Sequence, residues 1–374
     1  MTDVVVAGGG LIGLSVAWRA AQRGLGVTVV DDAPGSGASR AAAGMLAPVS
    51  EAGYGEEALL GLCAASLARY PAFLDDLAAA TGERVPLRTA GTLVIGFDAD
   101  DVRALDELRD LHGRLGLAAT RVTGREARRY EPSLTPRVRG GLRVDGDLSI
   151  DPRELHRVLL AAVERAGVRR VRTQVTGLLV EADRAVGVAL AGGGELRAGG
   201  VVLALGAHSA TLPGVPPLPV RPVKGQILRL RGAAGLLDGT VRALVAGRQV
   251  YLVPYGDGGL VVGATVEELG FDATVTAGGV HDLLHDAIEV VPGVGELELV
   301  ETLARWRPGT PDNAPLLGDS GLPGLLLATG HYRNGVLLTP LTGEVIAEQL
   351  VTGELPEVAV PFTVRRFDRE PAWT

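Results

Sequence analysis

A single cysteine, Cys63, stands in the 374 residues. One thiol excludes an internal disulfide and any cysteine-built metal centre; its alanine-rich helical setting makes it a small buried apolar residue. Lysine is as scarce. Lys224 is the only one and the rest of the 36 basic residues are arginine, a bias that reads as coding preference and not as function. Acidic residues outnumber basic ones, giving a formal charge of −8 and a pI near 5.4, which argues against nucleic acid or an anionic membrane as partner. The six histidines (His112, His156, His208, His281, His285 and His331) are scattered. Only His281 and His285 share a helical face, with no third ligand at a workable spacing, so no metal site is expected. No Ser–His–Asp set and no paired catalytic carboxylates assemble either. Long apolar runs are missing too. The N-terminal one lacks a basic n-region, begins as a strand and is broken by three glycines, unlike a signal peptide. No other segment is long enough to span a bilayer, and a cytoplasmic location is expected. Aromatics are few, whereas glycine, alanine and other apolar residues abound. That mixture suits a soluble, well-packed globule of two domains, or one large one with an insertion.

The chain opens with DVVVAGGGLIGLSVAWRAAQRGLGVTVVDD, residues 3–32. Val4 to Val6 suit a buried parallel strand. Gly8, Gly10 and Gly13 follow with GxGxxG spacing, and Leu11 and Ile12 open a helix that runs to about residue 23. Val27, Val29 and Val30 begin a second strand, which ends at Asp31 and Asp32. One glycine makes the turn, one lets backbone approach a pyrophosphate, and one lets helix pack on strand. The helix N-terminus offers free N–H groups to phosphates, and Asp31 lies where a carboxylate accepts hydrogen bonds from an adenosine ribose. Strand, turn, helix, strand and acid in this order predict dinucleotide binding; an ordinary βαβ unit explains the fold but not all three glycines with the acid.

Further along, the small-residue stretch 35–50, too irregular for a helix, lets backbone lie against something large and flat, unless it is only a tight crossover. A helix is expected over 56–80, a strand over 91–97, a helix over 98–117, an exposed arginine-rich segment over 121–139 and a helix over 152–166. That last helix has Asp151 as N-cap and proline first. Strands alternate over 171–190, and the apolar run 201–205 ends in Gly206, the glycine-terminated carboxyl edge where ligands bind in parallel sheets. Alternation over 226–230, 249–253 and 260–264 predicts antiparallel strands. A helix near 280–290, a strand near 299–306, two short strands and a final helix complete the chain. Strands thus return to the first sheet after an excursion, so two domains are expected to interleave.

Four blocks, VVVAGGGLIGLSVAW, GSGASRAAAGMLAP, YLVPYGDGGLVVGAT and RWRPGTPDNAPLLG with ATGHYRNGVLLTPLTGEVIAE, resemble the FAD-dependent amine oxidases of the D-amino-acid oxidase superfamily. Within it, AAAGMLAP and GHYRNGVLLTP are similar to the glycine oxidases of thiamine biosynthesis. The resemblance implies an α/β (α+β overall) fold. A glutathione-reductase-like Rossmann FAD domain (1–88, 146–220 and 308–374) would interleave with an antiparallel substrate domain (89–145 and 221–307). It implies that Ser39, Arg40, Ala43, Gly44 and Met45 lie along the flavin, Val175 and Gly206 near the nucleotide, and Gly330, Arg333, Asn334, Gly335, Val336 and Leu337 under the ring. The helix near Pro340 would aim its positive end at the pyrimidine carbonyls.

The resemblance also assigns the substrate side. Arg307 would fork onto an amino-acid carboxylate, Tyr251 would hydrogen-bond the same group, Arg333 would lie nearby and Met45 would face the reacting centre. Taken alone, Arg307 reads equally as a surface arginine and Tyr251 as a core aromatic. Lys224 would either assist oxygen reduction or serve structure. Val266 stands where methionine is expected, apolar in either case. The implied chemistry is hydride transfer from glycine, or from sarcosine and small D-amino acids, to non-covalent FAD. Imine or glyoxylate, ammonia and, with oxygen, hydrogen peroxide are the products. The imine would supply thiazole formation, with a link to thiazole synthase, in a homo-oligomer. A D-amino-acid dehydrogenase or sarcosine-oxidase-like enzyme of the same fold, a non-catalytic flavoprotein and a nicotinamide enzyme remain open.

Overall fold

The computed structural model describes residues 2–245 and 247–368. Val4–Ala7 is buried along its whole length and runs parallel between Val27–Val30 and Gly200–Leu203. Leu325–Thr329 and Arg169–Val171 extend the parallel set outward, and Leu316–Asp319 closes one edge antiparallel, making six strands. A sheet of this kind needs cover on both faces. Val4, Val6, Val27 and Val29 point into a core built with the helices Leu11–Gln22, Pro152–Arg165 and Thr339–Thr352. Val5, Ala7 and Val30 point the other way, onto the small antiparallel sheet formed by Val175–Glu181, Arg184–Leu190 and Glu195–Arg197.

The second large sheet has eight strands. In spatial order they are Glu298–Gly309, Arg221–Arg231, Gly259–Gly263, Arg248–Tyr255, Thr240–Val245, Thr92–Gly96, Gly140–Val144 and Thr120–Thr123. Strand alternation gives it two apolar faces. Leu228, Leu252 and Val262 pack with Leu283 and Ala287 of helix Ala277–Val290. Ile227, Val253, Val261 and Leu303 face Ala41, Ala43 and Met45 of the first body. The cavity opens between that face and the carboxyl ends of the parallel strands.

Four expectations change. The helix expected over 56–80 is two, Glu57–Leu67 and Tyr70–Thr81, because Pro71 has no N–H to continue the helical ladder. The segment 121–139 holds a strand and a helix, Gly124–Tyr130, whose Ala127 is buried along with Leu134 and Val138; its run of exposed arginines hides those few inward residues. Thr240–Val245 is an extra strand, and it pairs parallel with Thr92–Gly96, so the second sheet is mixed. Within 35–50, residues Ala38–Ala41 form a short helix.

Candidate active site

The cavity has a volume of about 850 Å³. At one end is the glycine turn. Gly8 has φ +112°, and a Cβ there would stand 2.3 Å from the Ala204 carbonyl oxygen; one on Gly13 would stand 1.9 Å from the Gly8 oxygen. Both must be glycine for strand, turn and helix to touch. The first helical amide, Leu11, donates to Ser39 Oγ at 3.1 Å, while the amides of Gly10 and Ile12 meet no acceptor among the described residues. Unpaired helix N-terminal donors on a cavity wall are what a pyrophosphate requires. Asp31 accepts from the amides of Gly9 (2.6 Å) and Ala33 (2.8 Å), and each carboxylate oxygen retains a lone pair for a ribose hydroxyl.

A second run of free amides, Gly335, Val336 and Leu337, lies before helix Thr339–Thr352. It is held from behind: Tyr70 Oη donates to the Val336 oxygen at 2.5 Å and Ser66 Oγ to the Leu337 oxygen at 2.7 Å. The carbonyls of Val336 and Leu337 are tied down, the three N–H groups meet no acceptor among the described residues, and Gly335 and Val336 line the cavity, an arrangement that suits an electron-rich ring edge. The donor set and the glycine cradle fit a flavin dinucleotide.

At the far end, one face of the eight-stranded sheet supplies Gly225, Ile227, Tyr251, Arg305 and Arg307 to the wall. Tyr251 lies across Gly263, its strand partner, where a Cβ would come within 2.3 Å of the phenol oxygen; a Cβ on Gly225 would come within 2.4 Å of Arg307 Nη1. The two polar side chains therefore lie over two bare backbone positions. Arg307 Nη1 donates to the Thr265 carbonyl at 3.2 Å, which leaves most of its five donors for a ligand. Burial pushes the Tyr251 phenol up, and the guanidinium of Arg307 opposes this, so the phenol is a neutral hydrogen-bond donor.

A family model for FAD dependent oxidoreductases matches residues 3–349. The chain belongs to that family. Its cofactor is FAD. Among relatives of this FAD dependent oxidoreductase is the bifunctional protein ThiO/ThiG of Trichormus variabilis. It is 35% identical over all of this chain, which spans 56% of that protein; the chain is thus about half the length of such relatives. The glycine oxidase of Geobacillus kaustophilus is 34% identical, with 97% of each chain covered. The crystal structure of glycine oxidase from that organism superposes with a TM-score of 0.89 at 33% identity, over 97% of this chain and 98% of the other.

Of the residues singled out from the glycine motif and the family resemblance, Gly8, Gly10, Leu11, Ile12, Asp31, Asp32, Ser39, Ala43, Gly44, Met45, Val175, Gly206, Tyr251, Arg307, Arg333, Gly335 and Val336 line this same cavity. Gly13, Arg40, Gly330, Asn334 and Leu337 do not. Gly13 packs helix on strand. Arg40 turns away to Glu301 at 2.8 Å. Gly330, φ +75°, makes the turn beside Thr310, Asn334 caps a turn through its amide to the His331 oxygen, and the Leu337 side chain is buried in the core. Arg333 is exposed, its guanidinium over the ring of Tyr332. One more reading changes. Val266 is 64% exposed and does not line the cavity. Lys224 is fully buried, with Nζ 2.5 Å from Asp272 and 3.2 Å from Glu267, an ion-paired strut away from the cavity wall.

Residues with no sequence signal also line the wall: Glu51, Arg305 and His331. His331 lay inside a quoted block but carried no role. It is buried, bonded through Nε2 to Thr342 Oγ1 at 3.0 Å, and its pKa is pushed down to about 3 by burial, so it is neutral. Arg305 opens another of the family-like blocks, again without a role, while Glu51 sits in otherwise ordinary loop sequence; only the tertiary fold brings both to the cavity.

Proposed function

We propose that the protein oxidises glycine, and sarcosine and small D-amino acids less readily. Glycine, oxygen and water would give glyoxylate, ammonia and hydrogen peroxide. The observation that carries this is the pairing of Arg307 with Tyr251 over Gly225 and Gly263, in the same cavity as the free amides of the glycine turn. Arg307 and Tyr251 bind the carboxylate: a fixed cationic fork and a neutral donor match that group in charge and shape. The clamp restrains the α-carbon to one position and orientation, which converts binding energy into alignment. Met45, packed with Ile227 and Tyr251 on the cavity side, keeps water from the reacting carbon. Bound FAD supplies a two-electron acceptor that oxygen re-oxidises. The amides of Gly335, Val336 and Leu337 stabilise negative charge at the ring edge nearest them.

FAD is held without a covalent link. The one cysteine, Cys63, is 3% exposed in helix Glu57–Leu67, and burial raises its thiol pKa. Residues 1–88, 146–220 and 308–374 serve the cofactor, and 89–145 and 221–307 the substrate. The membership of the two large sheets supports this division, with strand Glu298–Gly309 crossing the last boundary. The imine product would feed thiazole formation, a reading supported by relatives that join ThiO to ThiG in one chain. The enzyme would work in the cytoplasm as a homo-oligomer; no described helix is long and apolar enough to cross a membrane.

The test is anaerobic reduction of the bound flavin by glycine, sarcosine, D-alanine and D-proline, followed by peroxide measurement in air. Glycine is expected to bleach the flavin fastest and to yield peroxide. Bleaching by none of the four, or dye reduction without peroxide, refutes the proposal.

A further inference from the structure

Resting on the amino-acid oxidase reading above, we infer that Glu51 binds the ammonium end of the substrate, opposite Arg307. A small amino acid enters as a zwitterion, so a cavity holding its carboxylate meets a positive charge a few ångströms away. Among the described residues, the carboxylates that line the cavity are Asp31, Asp32 and Glu51. The first two stand at the glycine turn, where Asp31 is occupied by backbone amides. Glu51 alone stands at the Tyr251 end.

Sheet register puts it there. Arg242 and Tyr251 are direct cross-strand partners, so their side chains rise side by side from the same face. Arg242 draws in residues 50 and 51 from the first body: its Nη1 donates to the Ser50 oxygen at 2.7 Å and lies 3.5 Å from Glu51 Oε1. Asp147, fully buried, accepts from the amides of Val49 and Ser50, each at 3.3 Å. The segment is thus pinned on two sides, and Glu51 is 12% exposed. Its charge reaches Tyr251, where it opposes ionisation of the phenol. From Glu51 through Tyr251 to Arg307 the cavity wall therefore reads anion, neutral donor, cation, the complement of a zwitterion laid along it. At 3.5 Å, Arg242 orients the carboxylate loosely through Oε1, and Oε2 has no hydrogen-bond partner among the described residues.

The experiment compares glycine with acetate, which has the carboxylate and no amine. Glycine binding is read from the concentration dependence of anaerobic flavin reduction, and acetate binding from its perturbation of the flavin spectrum. In Glu51→Gln the glycine constant should weaken roughly ten- to a hundredfold, as for loss of one charge-assisted hydrogen bond. Acetate should change less than twofold and FAD should stay bound at full stoichiometry. Glu51→Asp, which keeps the charge on a shorter arm, should recover part of the loss. An unchanged glycine constant, or parallel weakening of glycine and acetate, overturns the assignment while leaving the oxidase reading intact. A wild-type flavin that no small amino acid reduces overturns both.

Discussion

Gly225→Ala should cripple carboxylate binding without unfolding the protein. The new Cβ would lie 2.4, 2.6 and 2.7 Å from Nη1, Nη2 and Cζ of Arg307. Ordinary contact begins at 3.4 Å, so the guanidinium must shift by roughly 1 Å to restore a normal van der Waals separation. The clash is with the far end of a flexible side chain, and the strand pairing of Gly225 with Arg305 uses backbone only, so the fold survives. The fork cannot hold both its carboxylate geometry and its new position. Loss of one charged hydrogen bond costs about 1.5–3 kcal/mol, or roughly ten- to a hundredfold in affinity. Glycine and acetate should weaken together in the spectral and reduction assays, unlike in Glu51→Gln, and FAD content should be unchanged. Wild-type affinity for acetate in Gly225→Ala, with the flavin in place, would refute the claim that Arg307 acts from above that glycine.

Tyr251→Phe removes one donor from the same clamp and should weaken glycine by roughly three- to tenfold, the worth of about 1 kcal/mol, with acetate following; equal constants would remove Tyr251 from the site. Gly13→Ala sets a Cβ 1.9 Å from the Gly8 backbone oxygen, a contact no rotamer relieves; protein purified without yellow colour, or insoluble, is expected, and full flavin occupancy would contradict the packing role. Tyr70→Phe leaves the Val336 carbonyl without its 2.5 Å donor and should cost about 1–3 kcal/mol in urea denaturation, with faster FAD loss; unchanged stability would mean that water replaces the phenol. Asp147 is pushed up from 3.8 to about 6 by burial. The folded state therefore holds this proton more tightly than the unfolded one, and its contribution to stability falls as pH rises from about 4 to 6, then levels off. Asp147→Asn should flatten that window, its stability relative to wild type being about 2 kcal/mol more favourable at pH 7.5 than at pH 4; parallel pH curves would rule this out.

The nucleotide half was legible because its constraints are local. Gly8, Gly10 and Gly13 act within one turn, the valine runs report burial on both faces, and Asp151 caps its helix through the Arg153 amide at 2.9 Å, as its sequence position implies. The helix break at Pro71 was equally local and should have been read, since proline inside a periodic run ends the helical ladder. Other features have no local signature. Thr240–Val245 pairs parallel with a strand some 150 residues earlier, and nothing within either segment encodes that partnership. Arg40 and Arg305 look alike in sequence, but Glu301 draws the first away while Arg305 Nε donates to the Ser36 oxygen on the cavity side.

The substrate end illustrates why residue type alone misled in places. Arg307 and Tyr251 were readable as chemistry, but what lets them face a ligand is the absence of side chains at Gly225 and Gly263, on neighbouring strands. A glycine inside an alternating strand reads as weakness or a bulge; here the missing Cβ makes room for a functional group from the next strand. Register also decides Val266, which the family resemblance put at a pocket position. It stands between Thr265 and Glu267, which keep pairing with Gln226 and Lys224 after the pairing with Arg248–Tyr255 has ended, and whose side chains bond each other at 2.5 Å. Strand alternation therefore sends Val266 to the side opposite Thr265 and Glu267, where it is exposed. Function at this site therefore depends on which face the hydrogen-bonded register gives each residue as much as on residue type.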